Sequence, residues 1–300
     1  MNRVAQHSAH AFAAALGAVA VLSIMDAVMK GLVLAIGIFA VSVWRAILNL
    51  GIAGALYLPR RLPWPDRATI RIHVIRAIVV TAMAFLFFWG LGRVPLAQAI
   101  AMTFIAPLIA LLLAALFLDE RIGANSIIGS LFAFSGVVVI VFGQARAQLG
   151  PGVLLGSAAI LASAICYALN IVLMRKQAMA AKPLEISFFQ ALVVVAIWAM
   201  IVPFAGLPSW PHGQLVNLVT ASLLSTAGGL LFAWAYARAE AGYLAITEYS
   251  AFLWAAAMGW LMFREPVSLF TVAGAMMIVG GCMLAARAKV RSPGEVELAT

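Results

Sequence analysis

The sequence predicts an all-α polytopic membrane protein, with ten transmembrane helices arranged as two inverted five-helix repeats. Three observations predict it: an apolar composition, a long internal copy and a lopsided distribution of basic residues. Of 300 residues, 65% are hydrophobic and only 10% are charged. That is too apolar for a water-soluble globule and suits a bilayer.

The copy sets the frame. The stretch from Thr81 to Gly136 recurs from Thr226 to Gly281. At a constant offset of 145, Thr81, Ala82, Leu86, Phe87, Trp89 and Arg93 fall on Thr226, Ala227, Leu231, Phe232, Trp234 and Arg238. The register holds without a gap, so that Ala106, Ala110, Leu116, Glu120, Gly129 and Gly136 fall on Ala251, Ala255, Leu261, Glu265, Gly274 and Gly281. A repeat of this length is a duplicated half-protein rather than a solenoid unit. The halves are expected over 11–145 and 156–290.

Runs of about 20 apolar residues cross a hydrocarbon core about 30 Å thick. Ten occur here, at 11–31, 36–58, 72–92, 97–118, 126–144, 153–174, 186–205, 215–237, 243–263 and 268–286. The first, behind Arg3, has the outline of a secretory signal with a small-residue cleavage site. However, Ala13, Ala14 and Leu16 echo Ala158, Ala159 and Leu161, and Met29 and Lys30 echo Met174 and Arg175. The run therefore belongs to the body and is expected to be retained. Pro, Gly and charge punctuate the connections at 60–65, 92–95, 149–152 and 206–213.

Basic residues in short connections are kept cytoplasmic. With the N-terminus inside, one side collects Arg3, Arg60, Arg61, Arg67, Arg71, Arg76, Arg121, Arg175, Lys176, Lys182, Arg238, Arg287, Lys289 and Arg291. The other side has Lys30, Arg93, Arg146 and Arg264, which leaves Arg45 inside a span. Fourteen against four puts both termini in the cytoplasm. Five spans per copy is an odd number, so the second copy enters from the opposite side, as in many secondary transporters.

The same placement changes the meaning of the +9 net charge. The expected partner is an anionic lipid surface rather than nucleic acid. Cys166 and Cys282 lie in apolar runs and read as small packing residues. His7, His10, His73 and His212 lie outside the runs or at their ends, without metal-ligand spacing. The sequence shows no hydrolase elbow, phosphate loop or dinucleotide fingerprint, so no enzyme, metal or cofactor is expected.

Ionisable groups inside spans cost about 2.5–3.5 kcal/mol each on insertion scales and usually face a cavity or a partner. Asp26 and Lys30 share a helix face at a spacing of four, either as a local ion pair or with Asp26 on a pathway. Lys30 is near a span end and can snorkel. Arg45 lies about 13 Å into the second span at 1.5 Å per residue, too deep for easy snorkelling. It reads as a buried structural or substrate-facing group.

Thr103, Ala106, Pro107, Ala110 and Ala114 share one face, echoed by Glu248, Ala251, Phe252, Ala255 and Gly259. Small residues there allow close helix packing or leave room for a ligand. Thr103 against Glu248 breaks the symmetry and makes Glu248 a candidate proton or cation site. Trp44, Trp89, Trp234 and Trp254 are further aromatic positions, of which Trp89 and Trp234, four residues before Arg93 and Arg238, fit an interfacial belt. Tyr249 beside Glu248, and Tyr167 with Asn170 on one face of the sixth span, are cavity candidates. Gly129, Ser130, Ser135, Gly136, Gly274, Gly280 and Gly281 read as packing faces.

The five-plus-five plan resembles the drug/metabolite transporter superfamily and its EamA-type exporters. The cues are the span ends Phe117, Leu118, Asp119, Glu120, Arg121 and Met262, Phe263, Arg264, Glu265, Pro266, each followed by a glycine-bearing helix. Within that superfamily the chain is similar to the bacterial aromatic amino-acid exporters of the YddG type. The resemblance implies efflux of amino acids and related metabolites through a cavity among the first to fourth and sixth to ninth spans. The first span departs from the commoner pattern, carrying Ile24, Met25 and Asp26 where a Trp-Gly pair often stands.

The expected function is a bacterial inner-membrane exporter working by alternating access. Its expected substrate contacts are Asp26, Arg45, Thr103, Tyr167, Asn170, Glu248 and Tyr249. A zwitterionic amino acid suits groups of both signs beside aromatic walls. A carrier of another cargo, such as a sugar, nucleoside, nucleotide sugar or cationic drug, or a passive channel, shares most of these features.

Overall fold

A computed structural model describes residues 2–60, 64–106, 108–109, 124–146, 151–236, 238, 244 and 247–286. Among the described residues there are ten α-helices and no strands. The first half holds α1 (Asn2–Ile36), α2 (Ile38–Tyr57), α3 (Arg67–Leu91), α4 (Leu96–Thr103) and α5 (Ala124–Arg146). The second holds α6 (Pro151–Ala180), α7 (Pro183–Ala205), α8 (Leu215–Tyr236), α9 (Ala251–Phe263) and α10 (Leu269–Ala286). Six helical stretches are long and apolar enough to cross a membrane: His10–Ile36, Ile38–Arg60, Arg67–Leu91, Gly152–Ile171, Pro183–Ala205 and Leu215–Phe232. Ile127–Gly143, Ala251–Phe263 and Leu269–Leu284 are shorter apolar helices.

Local chemistry explains the boundaries. Gly37 and Gly206 take φ of 80° and 86°, which stops α1 before α2 and ends α7. Asp66 caps α3 by accepting the Thr69 N–H at 2.9 Å. Hydrogen bonds from the Thr69 side chain and backbone hold the Asp66 carboxyl below its usual range. Pro183 occupies the first turn of α7, where a missing N–H costs nothing. After α9 the backbone turns left-handed at Arg264, φ 56°. There the Arg264 N–H bonds the Trp260 carbonyl and the Glu265 N–H bonds the Gly259 carbonyl, each at 3.1 Å. This Schellman turn folds Glu265 back towards α4.

Packing pairs the halves. α3 lies along α6, with His73 against Gln177, Met83 against Ser163 and Gly90 against Gly156, so the two helices run antiparallel. α1 lies along α8 in the same sense, with Leu22 against Gly228 and Gly17 against Leu231. At the offset of 145, α3 corresponds to α8 and α6 to α1, so each pair is the other's copy. The α5·α10 contact is its own copy. A Cβ on Gly136 would lie 2.6 Å from the Gly274 carbonyl oxygen, and Gly281 meets Gly129 in the same way. Backbones this close need glycine on both sides.

Smaller details repeat as well. Arg93 lies 3.6 Å from the Trp89 ring centroid and Arg238 4.2 Å from that of Trp234. The Thr81 and Thr226 hydroxyls donate to the carbonyls four residues earlier, Ala77 and Ser222, at 2.7 and 2.9 Å. Most of the core is a single apolar cluster that includes Met29, Leu32, Phe88, Leu96, Met102, Ile160 and Ala255.

Candidate functional site

Arg45 is held by three elements besides its own helix α2. Its guanidinium lies 5.3 Å from the Phe88 ring centroid of α3. One terminal nitrogen donates to the Ser225 hydroxyl of α8 at 3.5 Å. Asp26 of α1 supplies the opposing charge. Both groups lie among packed helices yet keep accessible surface. The Arg45 Nε is buried and has no hydrogen-bond partner among the described residues. An unmet donor on a guanidinium is rare because its desolvation is costly.

A second set stands on α6 and just before α9. The Glu248 carboxylate acts electrostatically on both Tyr167 and Tyr249. Tyr249 meets Phe104 edge-on, with centroids 5.4 Å apart. Tyr167 is 41% exposed although many protein atoms surround it. Thr103 spends its hydroxyl on the Ile100 carbonyl of its own helix at 2.7 Å. On its small-residue face Ala106 is buried, while Pro107, Ala110 and Ala114 lie outside the described residues, as do Phe117 to Arg121.

Asn170 leaves Tyr167. It is buried at the α3·α6 interface, where its Oδ1 accepts from the Arg76 Nε at 2.9 Å. Arg76 also donates to the Gln177 Oε1. The Gln177 side-chain nitrogen meets the His73 Nδ1 at 2.5 Å, and the His73 Nε2 faces Glu185 of α7 at 3.4 Å. His73, expected at a run end, is 1% exposed and stacked on Phe189. Arg76, expected in the cytoplasmic flank, is drawn into the same interface.

Lys30 also differs from expectation. It does not pair with Asp26 on its own helix and does not reach out to the surface. It is 3% exposed and ion-pairs with Glu265, while donating to the Val94 carbonyl at 2.7 Å. The Leu96 N–H donates to the other Glu265 oxygen at 2.8 Å. One carboxylate thus ties α1, the start of α4 and the turn after α9 together at one end of the bundle. The sequence separates Lys30 from Glu265 by 235 residues, and only their common place at span ends links them there. By the offset their copies are Arg175 and Glu120.

A helical membrane bundle of two matching halves, with both charge signs set among its packed helices, has the form of a small-molecule carrier. The EamA-like transporter family matches this chain twice, over residues 10–142 and 154–287, and the chain belongs to that family. It is a multi-pass membrane transporter.

Among curated relatives, the pseudopaline exporter CntI of Pseudomonas aeruginosa is 28% identical over 229 residues, covering 75% of this chain and 78% of that one. A riboflavin transporter of Vibrio cholerae is 27% identical over 235 residues, covering 73% and 74%. A solved crystal structure, 21% identical, superposes with a TM-score of 0.57 over 92% of this chain and 96% of its own, which is a likeness of fold.

Proposed function

We propose that this protein is a bacterial inner-membrane secondary transporter that exports amino acids, aromatic and other neutral ones, and related metabolites. In this reading ten spans form two inverted halves, both termini are cytoplasmic, and a central cavity opens to each side in turn. The observation that carries the cargo class is Arg45, a half-buried guanidinium with a buried and unmet Nε–H, opposite Asp26. A guanidinium presents a planar fork of donors that suits a carboxylate, and Asp26 suits the ammonium of the same molecule. Phe88, in the core cluster, and Tyr249, packed against it, supply aromatic walls. The antiparallel packing of α5 on its own copy α10, Gly136 on Gly274 and Gly281 on Gly129, supports the inversion.

Glu248, Tyr249, Tyr167 and Thr103 form the other side of the proposed path, while Asn170 is engaged by Arg76 at the α3·α6 interface. A larger aromatic cargo is the second reading, favoured by the riboflavin transporter among the relatives. Counterflow into liposomes holding the purified protein decides between them, using labelled amino acids, riboflavin, sugars and nucleosides. Amino acids should exchange fastest, and Arg45→Ala and Glu248→Gln, correctly inserted, should slow them at least tenfold. Parental rates in both variants, or exchange of riboflavin alone, overturn the assignment.

A further inference from the structure

The hydrogen bonds around His73 can run in only one direction. Arginine has donors and no acceptor, so Gln177 must present its oxygen to Arg76. Its nitrogen then faces His73, and the Nδ1 must accept. The ring proton is left on Nε2, pointed at the Glu185 carboxylate. A proton placed on Nδ1 would set two donors against each other. Turning the Gln177 amide over does not help, because it would set its NH₂ against Arg76. A charged His73 and the Gln177 contact therefore exclude one another, while Glu185 favours the charge. The groups facing this ring are Arg76 of its own helix, Gln177 of α6 and Glu185 of α7. Tyr57 of α2 feels the same Glu185 carboxylate, and its hydroxyl is buried with no partner among the described residues.

Packing does not require any of these groups. At the offset of 145, His73, Arg76, Asn170, Gln177 and Glu185 correspond to Leu218, Ala221, Met25, Leu32 and Ala40, all buried and all apolar. The fold thus fills the same five places in the other half with hydrocarbon.

We propose that His73 is a proton-binding site, and that loading it releases α6 from α3 at this end of the bundle. The proton is the ligand, Glu185 stabilises the loaded form, and Arg76 with Gln177 holds the empty form closed. The site is separate from Arg45 and does not depend on the identity of the cargo.

The test is a distance measured between spin labels at Arg71→Cys on α3 and Met174→Cys on α6, both exposed positions. Cys166 and Cys282 are replaced by Ala, and the full chain sits in lipid nanodiscs. Between about pH 8 and about pH 5, the interval in which histidines gain a proton, the distance should lengthen and broaden. His73→Leu, which copies Leu218, should stay closed throughout. Gln177→Glu should also stay closed, because a carboxylate accepts from the charged Nδ1–H, and it keeps the test alive if His73→Leu fails to insert. A distance that ignores pH in the parent, or one that lengthens equally in both variants, overturns the proposal.

Discussion

The α3·α6 and α1·α8 interfaces are copies by sequence and opposites by chemistry. Both run antiparallel and both bring small residues together, Gly90 with Gly156 in one and Ala11 with Ala235 in the other. Towards the far end they part. Met25, Leu32, Leu218 and Ala221 close one seam with hydrocarbon, where Asn170, Gln177, His73 and Arg76 close the other with hydrogen bonds. Interhelical hydrogen bonds in membranes average only about 0.6 kcal/mol each, so the polar seam gains little stability over the apolar one. It gains a contact that can be switched by a proton or a competing ligand.

The largest expected break lies at the foot of the apolar seam, where α1 carries Lys30. Glu265→Ala leaves a buried ammonium without its carboxylate, a change of about 3–5 kcal/mol when a buried pair is broken. Thermal unfolding in detergent should show it, and Glu265→Asp should recover part of the loss. An unfolding temperature equal to the parent's would mean that the tie between α1, α4 and α9 is unimportant.

Next comes a partial copy of one seam onto the other. Gln177→Leu alone strips an acceptor from the half-buried Arg76, costing about 1.5–3 kcal/mol. Converting all five polar positions to Leu218, Ala221, Met25, Leu32 and Ala40 equivalents should restore most of that stability. If the fivefold variant unfolds more readily than the single one, the seams are not interchangeable. A smaller effect sharpens the duplication itself. Gly136→Ala and Gly281→Ala are exchange-related intrusions on backbone, each expected to cost about 1–3 kcal/mol by overpacking. Similar losses in both, against none at Gly51→Ala, where a Cβ meets open space, are the expected pattern.

Much of the frame was legible in the chain. The helix starts respect the offset of 145: Ile38 and Pro183 open corresponding helices, as do Ala124 and Leu269. Hydrophobic runs and their punctuation are local signals, readable within a window of about 20 residues. The Lys30–Glu265 tie was not legible, because a pairing over 235 residues depends on how the Schellman turn at Arg264 aims one side chain. Comparing the halves at Thr103 and Glu248 drew attention to that mismatch. The same subtraction at His73, Arg76, Asn170 and Gln177 was available and shows the polar seam. Those residues looked like flanking or isolated polar groups only because helix ends and interfacial positions share a composition.

The proposed inversion of the two halves carries everything else, and Arg93 and Arg238 test it directly. They occupy the same place in the repeat, both are exposed, and both stack on a Trp four residues earlier. Arg93→Cys and Arg238→Cys, each introduced with Cys166 and Cys282 replaced by Ala, are labelled in intact cells with a membrane-impermeant thiol reagent. Inverted halves predict that Arg93→Cys is labelled from outside and that Arg238→Cys is labelled only after the membrane is opened. Labelling of both from the same side contradicts it.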